Sequence, residues 1–442
     1  MTGIPIMIIQ LILSLSFLVI IHECGHFFPA KWFKTRVEKF YLFFDPWFSL
    51  FRTKKGDTEY GIGWLPLGGY VKIAGMVDES FDTEKLKEEP KPWEFRSKPA
   101  WQRLIIMLGG VTVNFIAGFL LFALVLGIWG EEYLPSRSVP NGIFTDSLGR
   151  VIGLKDGDKI LKVGAVDFDI FDHRMLRREV VINGAKTITV ERDGQVIDLP
   201  MEDRFIHDLS SNKNKNSTLI GPRVPVKIDR FSESSPAQAA GLAVGDEIVS
   251  LNGTPMFIND LTKTLRQLKD SSVTLVIKRG GQELPFTFKT SAEGTIGAYT
   301  LPVLSVERKK YGFMESIPAG INKGLGFLSD QIKAFGQMFK GKIKASESLG
   351  GFASITSLFP DTWSWEDFIR ITAILSLILG FMNLLPIPGL DGGHVVFLLF
   401  ELVTGKKLSD KFIEKATLVG FILLIALMIY ANGLDVFRFL KK

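Results

Sequence analysis

Near the start of the chain, two histidines stand four residues apart with a glutamate after the first: His22-Glu23-Cys24-Gly25-His26. On a helix, positions four apart share a face, so both imidazoles can address one metal ion. Glu23 is offset by one residue, near enough to reach a water beside that ion without being a ligand, which is the place of a general base. Such a pattern does zinc-assisted hydrolysis, and hydrolysis needs water. Yet the motif follows MIIQLILSLSFLVI, an almost unbroken apolar run.

Two imidazoles are too few, because a catalytic zinc takes three protein ligands and keeps a fourth position open. The stretch GFMNLLPIPGLDGGHVVF (380–397) offers the third. Asp391 follows the helix-breaking Pro386 and Pro388 and is flanked by Gly389, Gly392 and Gly393. An ionisable residue at membrane depth is costly and marks function. Non-helical backbone there is tolerated only inside protein or facing a water-filled cavity. His394 is the competing ligand, with a supporting role behind the ligands as its other reading. Asn383, before the break, can point its amide into the same cavity or serve helix packing.

These residues need membrane helices to hold them. The 442 residues are 46% hydrophobic, with a mean hydropathy of +0.22, and the excess falls in blocks. Four blocks qualify as spans: Ile4 to Trp32, Leu104 to Trp129, Phe368 to about Leu385, and Phe412 to Tyr430. The first lacks a basic n-region and a small-residue cleavage site, so a removable signal peptide is not expected. Gly109, Gly110 and Gly118 in the second suit close helix packing. Lys31, Lys34, Arg36, Lys39, Arg52, Lys54 and Lys55 crowd the loop after the first span, and Lys406, Lys407, Lys411 and Lys415 the last connection. By the positive-inside rule both are cytoplasmic and the 130–365 segment lies outside; Arg438, Lys441 and Lys442 run against it. Cys24 is the only cysteine, so no intrachain disulfide framework exists. The net charge of +5 comes without any recognition motif, and no nucleic-acid partner is expected.

The segment between the second and third spans repeats itself. GLKDGDKILKVGAVDF (153–168) matches GLAVGDEIVSLNGTPM (241–256), and ITVERDGQVIDLP (188–200) matches LVIKRGGQELPF (275–286). The offset is 87 to 88 residues in both pairs, so two copies of one small, mostly β module stand in tandem. The second copy, SSPAQAAGLAVGDEIVSLNGTPM, resembles the core of a bacterial PDZ domain; the first does so more loosely, with Val163-Gly164 in place of Asn-Gly. PDZ domains bind extended peptide ends by strand addition. Residues 312–344 alternate apolar and charged residues at helical spacing, which suits a helix on the outer membrane face or packed on the modules.

Together the HExxH motif on the first span and NLLPIPGLDGG (383–393) at the end of the third resemble the site-2 protease family of intramembrane zinc metalloproteases. The module pair narrows the resemblance to the subgroup that regulates sigma-E responses. The resemblance implies that Zn2+ is held by His22, His26 and Asp391, that Glu23 is the catalytic base, and that Asn383 handles substrate. It also implies that YGIGWLPLGGYVKIAGM (60–76) is a re-entrant β-hairpin pairing with unwound substrate through Gly68, Gly69, Tyr70 and Val71. The expected fold is a polytopic α-helical membrane protein with four transmembrane helices and an inserted tandem pair of PDZ domains. Its parts would be an N-terminal membrane domain (1–130), PDZ domains at 131–218 and 219–306, amphipathic periplasmic helices (307–365) and a C-terminal membrane domain (366–442). The implied location is the bacterial inner membrane, the active site toward the cytoplasm and the PDZ domains in the periplasm. Implied partners are membrane lipid and single-pass membrane proteins already trimmed by a first protease, an anti-sigma factor above all, with signal-peptide remnants as others. The rival readings are a PDZ-bearing membrane tether and a metal-binding membrane protein without proteolysis.

Overall fold

A computed structural model describes residues 3–66, 68–76, 89–214, 217–344, 346 and 349–440. Leu67 of the expected hairpin, and Lys441 and Lys442 of the charge count, lie outside the described residues. The chain forms two compact units: 1–130, 310–331 and 349–442 make the first, 131–309 and 332–348 the second.

In the first unit, four helices among the described residues are long and apolar enough to cross a membrane. They are α1 (Ile4–Trp32), α2 (Ala100–Trp129), α4 (Trp365–Leu384) and α6 (Asp410–Leu440). Between them lie α3 (Phe313–Phe339) and α5 (Asp391–Thr404). The chain is thus a multi-pass membrane protein. α2, α4 and α6 each extend beyond the apolar block that signals them, because polar turns at their ends continue the backbone hydrogen bonding.

α1 buries one stripe, Gln10, Ser14, Leu18, His22 and His26, spaced by four. Small residues set how closely it meets α2. A Cβ on Gly25 would overlap the Gly109 carbonyl, and one on Gly109 would overlap the Gly25 carbonyl, so the two backbones touch at these positions. Side-chain hydrogen bonds tie in the rest: Thr372 Oγ1 on α4 donates to Ser14 Oγ (2.9 Å), and Ser376 Oγ donates to the Asn114 carbonyl of α2 (2.7 Å). Ser316, Gly320 and Gly324 bring the first part of α3 against Gly127, Ala123 and Phe119 of α2. That portion therefore packs on a spanning helix; residues 332–348 belong to the second unit, where Met338 and Ile343 join the first repeat's core.

After α1 the chain enters a four-stranded sheet: β1 (Val37–Leu42), β2 (Phe44–Lys55), β3 (Thr58–Leu65) and β4 (Tyr70–Ile73), in the order β2-β3-β1-β4. This corrects the expected hairpin. β3 and β4 do not pair with each other; β3 runs parallel and β4 antiparallel to the intervening β1. The reason is that β2, unexpected from its charged surroundings, takes the outer side of β3, leaving β4 the free flank of β1. Gly61 is required beneath β1, since a Cβ there would enter the Tyr41 ring. A Cβ on Gly69 would lie 2.6 Å from Val19 Cγ1. Val19 is roughly 20 Å along α1 from Trp32, so this end of the sheet runs back beside the spanning helix.

The second unit carries the two repeats. The first has a sheet ordered 195–200, 187–192, 159–163 and 166–167; the second, 282–289, 272–279, 247–251, 226–231 and 298–302. The repeat extends to single side chains. Asp158 is bound by Arg192, and Asp246, 88 residues on, by Arg279. Each arginine also donates to a glycine carbonyl, Gly153 or Gly241, and each aspartate caps the backbone N–H three residues before it. Strand Ile220–Pro222, past the expected boundary at 218, pairs back with Ile143–Thr145. Each repeat has its own core, one around Val163, Val180 and Ile188, the other around Val226, Ile248 and Leu275.

Candidate metal centre

α4 ends at Leu384, where Pro386 and Pro388 cannot continue its hydrogen bonding. The chain turns through Gly389, at φ +98°, and α5 begins at Asp391. Asp391 is thus the first residue of a separate helix and not part of the third span. The turn admits no side chains: a Cβ on Gly392 or Gly393 would overlap the backbone of 384–388. It rests on α6, where a Cβ on Gly420 would overlap the Pro388 carbonyl. At its other end α5 is tied to α2 by the largely buried Arg103–Glu401 ion pair (2.5 Å).

This turn carries Asp391 to the two histidines. Its Oδ2 lies 3.3 Å from Nε2 of His22 and 3.3 Å from Nε2 of His26, and the two Nε2 atoms are 3.3 Å apart. Both histidines are buried, and Asp391 Oδ2 is sealed from solvent without a hydrogen-bond partner. A buried carboxylate oxygen seldom goes unsatisfied. Donors about 2.0–2.1 Å from a tetrahedral zinc stand about 3.3–3.4 Å from one another, so the triangle has the size of a zinc ligand face. The residues fit the ion.

The rings are oriented from behind. His26 Nδ1–H donates to the Ile106 carbonyl (2.8 Å), which leaves Nε2 with its lone pair turned to the triangle. His22 Nδ1 faces the Asn114 side-chain amide at 3.0 Å. Gly110, between Ile106 and Asn114 on α2, gives the rings their room.

Glu23 is partly buried, and its carboxylate faces the Val71 backbone N–H. Asn383 places its amide nitrogen 3.3 Å from His22 Nε2. His394 is outside the metal-ligating group found among the described residues and packs edge-on against Phe397. Tyr70 and Val71 lie on β4, paired with Tyr41 and Phe40 of β1, and Tyr70 donates to Asp45 (2.9 Å). Gly68, at φ +144°, and Gly69 form the approach to that strand. The structure therefore brings His22, His26, Asp391, Glu23, Asn383 and Val71 together and sets His394 apart. Asn114 and the Arg103–Glu401 pair escape the sequence reading, which has Gly110 as a helix-packing residue only. Asn114 had a signal of its own, an amide in the middle of an apolar span.

A cluster that could hold a metal ion, set among membrane-length helices with a further carboxylate beside it, points to a class: a membrane metalloprotease. Residues 10–427 match peptidase family M50, the site-2 proteases, and the chain belongs to that family. It is a zinc-dependent metalloprotease. The chain is similar to the Escherichia coli regulator of sigma-E protease RseP, with 28% identity over 94% of this chain and 95% of that one. A putative zinc metalloprotease of Thermotoga maritima is 25% identical over 98% and 99% of the two chains. The Haemophilus influenzae regulator of sigma E protease is 27% identical over 97% and 98%.

Proposed function

We propose that this metalloprotease cleaves transmembrane segments of single-pass proteins within the bilayer, after a first protease has trimmed them. His22, His26 and Asp391 would hold the zinc. When bound, zinc acts as a Lewis acid that polarises the scissile carbonyl and makes water acidic enough to attack near neutral pH. Glu23 takes the proton of the attacking water and hands it to the leaving amide nitrogen. The Asn383 amide, facing the same space, donates to the oxygen on which charge develops. The observation that carries this reading is the 3.3 Å triangle with Glu23 beside it and outside it.

Substrate is positioned by β4. β4 is an edge strand whose Val71 N–H faces Glu23, which supports a free sheet edge that looks onto the base. A transmembrane helix has to unwind before a peptide bond can be attacked, and an open strand edge satisfies its freed amides. The sheet would be re-entrant, its deep end level with Val19. The names of the Escherichia coli and Haemophilus influenzae relatives support an anti-sigma factor of the sigma-E type as substrate, with signal-peptide remnants as others. The repeats would be PDZ domains in the periplasm that take up newly exposed C-termini. The membrane would be a bacterial inner membrane, with the base open toward the cytoplasm.

Glu23→Gln decides the matter. It is expected to keep stoichiometric zinc and to abolish cleavage of a truncated single-pass substrate in detergent or nanodiscs. Unchanged turnover would remove Glu23 as base; loss of zinc would make it a ligand.

A further inference from the structure

Asn114 is fully buried in the middle of α2, and its side-chain amide lies 3.0 Å from Nδ1 of His22. The proton on that ring is fixed once the ring is a zinc ligand. Nε2 faces Asp391 Oδ2 and His26 Nε2, and the Asn383 amide nitrogen reaches it at 3.3 Å. As a zinc ligand, that nitrogen offers its lone pair to the metal. A neutral imidazole has one accepting and one donating nitrogen, so Nδ1 carries the hydrogen and needs an acceptor. The group within reach is the Asn114 amide. With its nitrogen toward the ring, two donors would oppose each other, and Asn114 Oδ1 is then buried without a partner. Amide orientation follows from the hydrogen bonds it makes; with the oxygen toward Nδ1, the ring's donor is satisfied.

Asn114 is also held from the other side, because its backbone carbonyl accepts from Ser376 Oγ of α4, itself fully buried. His26 is served in a parallel way by the Ile106 carbonyl, two turns earlier on the same helix. One helix thus supplies the rear acceptor for both imidazoles. For His26 it is a backbone carbonyl; for His22 it is a side chain.

We propose that Asn114 is the positioning residue of His22: its side-chain oxygen takes the Nδ1–H and holds the ring in the tautomer and orientation that turn Nε2 to zinc. The inference rests on His22 being a ligand. Partners of this kind typically set metal affinity by about 10- to 100-fold.

The test uses the full chain in nanodiscs. Zinc affinity is measured by chelator competition, and the ligand field by the absorption spectrum of the Co2+-loaded protein. Asn114→Leu, which removes the acceptor at similar volume, is expected to weaken zinc at least tenfold and to shift the Co2+ spectrum. Asn114→Asp, which keeps an acceptor oxygen, is expected to bind within about threefold of the parent or tighter. His22→Ala is the reference: if it retains parental affinity, the ligand reading itself fails. If His22→Ala loses zinc while Asn114→Leu binds like the parent, the Asn114 inference is overturned and the ligand reading stands. Should Asn114→Leu not fold, 15N-histidine spectra of the unaltered zinc-loaded protein decide. A protonated Nδ1 on His22 supports the proposal, and a bare Nδ1 overturns it.

Discussion

A side chain on Gly110 would have to occupy the space of His26: its Cβ would overlap His26 Nε2 and lie 2.7 Å from Cε1 of His22. The rings cannot retreat, because Ile106 and Asn114 back them from the same helix. Gly110→Ala is therefore expected to lower zinc affinity by more than about tenfold and to reduce proteolysis with it. Gly433→Ala, whose Cβ meets nothing within 4 Å, should change neither. Metal analysis after dialysis against a chelator checks both.

Asp391 and His394 are three residues apart, but only Asp391 Oδ2 reaches the histidines. Asp391→Ala is expected to lose zinc and activity together. His394→Ala should keep one zinc per chain, since its ring packs on Phe397. The reverse pattern would mean that the ligand is His394.

The turn that presents Asp391 is seated on α6 through Gly420, whose Cβ would overlap the Pro388 carbonyl. Backbone cannot yield as a flexible side chain can, so Gly420→Ala is expected to cost about 1–3 kcal/mol through overpacking. A lower melting temperature joined to weaker zinc binding would show that the seat on α6 holds the ligand in place.

How much of this is readable from sequence depends on how local the physics is. His22 and His26 share a helix face, so spacing alone reveals them. Asp391 is legible because a carboxylate among prolines and glycines inside an apolar region has few structural uses. The tandem repeat survives in the 87- to 88-residue offset, down to Asp158–Arg192 and Asp246–Arg279. The place of β1 between β3 and β4 is set by long-range pairing, Tyr41 lying opposite both Gly61 and Tyr70. No local pattern carries that, and the aromatic, charged run 37–55 reads as loop. Asn114 is visible as a residue, but which ring it faces depends on the crossing of α1 and α2.

The second repeat should be acid-sensitive through Asp246. Burial alone would push its carboxyl up, but the Arg279 guanidinium and the Ala243 N–H outweigh this and hold it below the ordinary carboxylate range. A group with a depressed folded pKa contributes stability that is fully present above its unfolded value, about 3.9, and lost as pH falls through the folded one. Asp246→Ala removes the contribution at neutral pH and is expected to cost about 1–3 kcal/mol, a figure moderated by the partial exposure of Arg279. Hydrogen exchange of strands 247–251 and 272–279 in the full chain should show faster opening in the variant at pH 7. Below pH 3 the difference from the parent should shrink.

The sheet and the metal can be separated by substitution at Val71. The Val71 N–H faces Glu23 from the edge strand β4. Proline is tolerated on an edge strand where the N–H points outward, so Val71→Pro should leave β4 paired while deleting that donor and one strand-addition contact. Zinc affinity is expected to stay within about twofold, because none of the three ligands is touched. Turnover should fall by at least about tenfold, the usual scale for disturbing a positioned acid–base group. Val71→Ala, which keeps the N–H, should cleave nearly as the parent does. If proline and alanine behaved alike, the backbone of β4 would have no part in orienting Glu23, and the sheet edge would have to be removed from the mechanism.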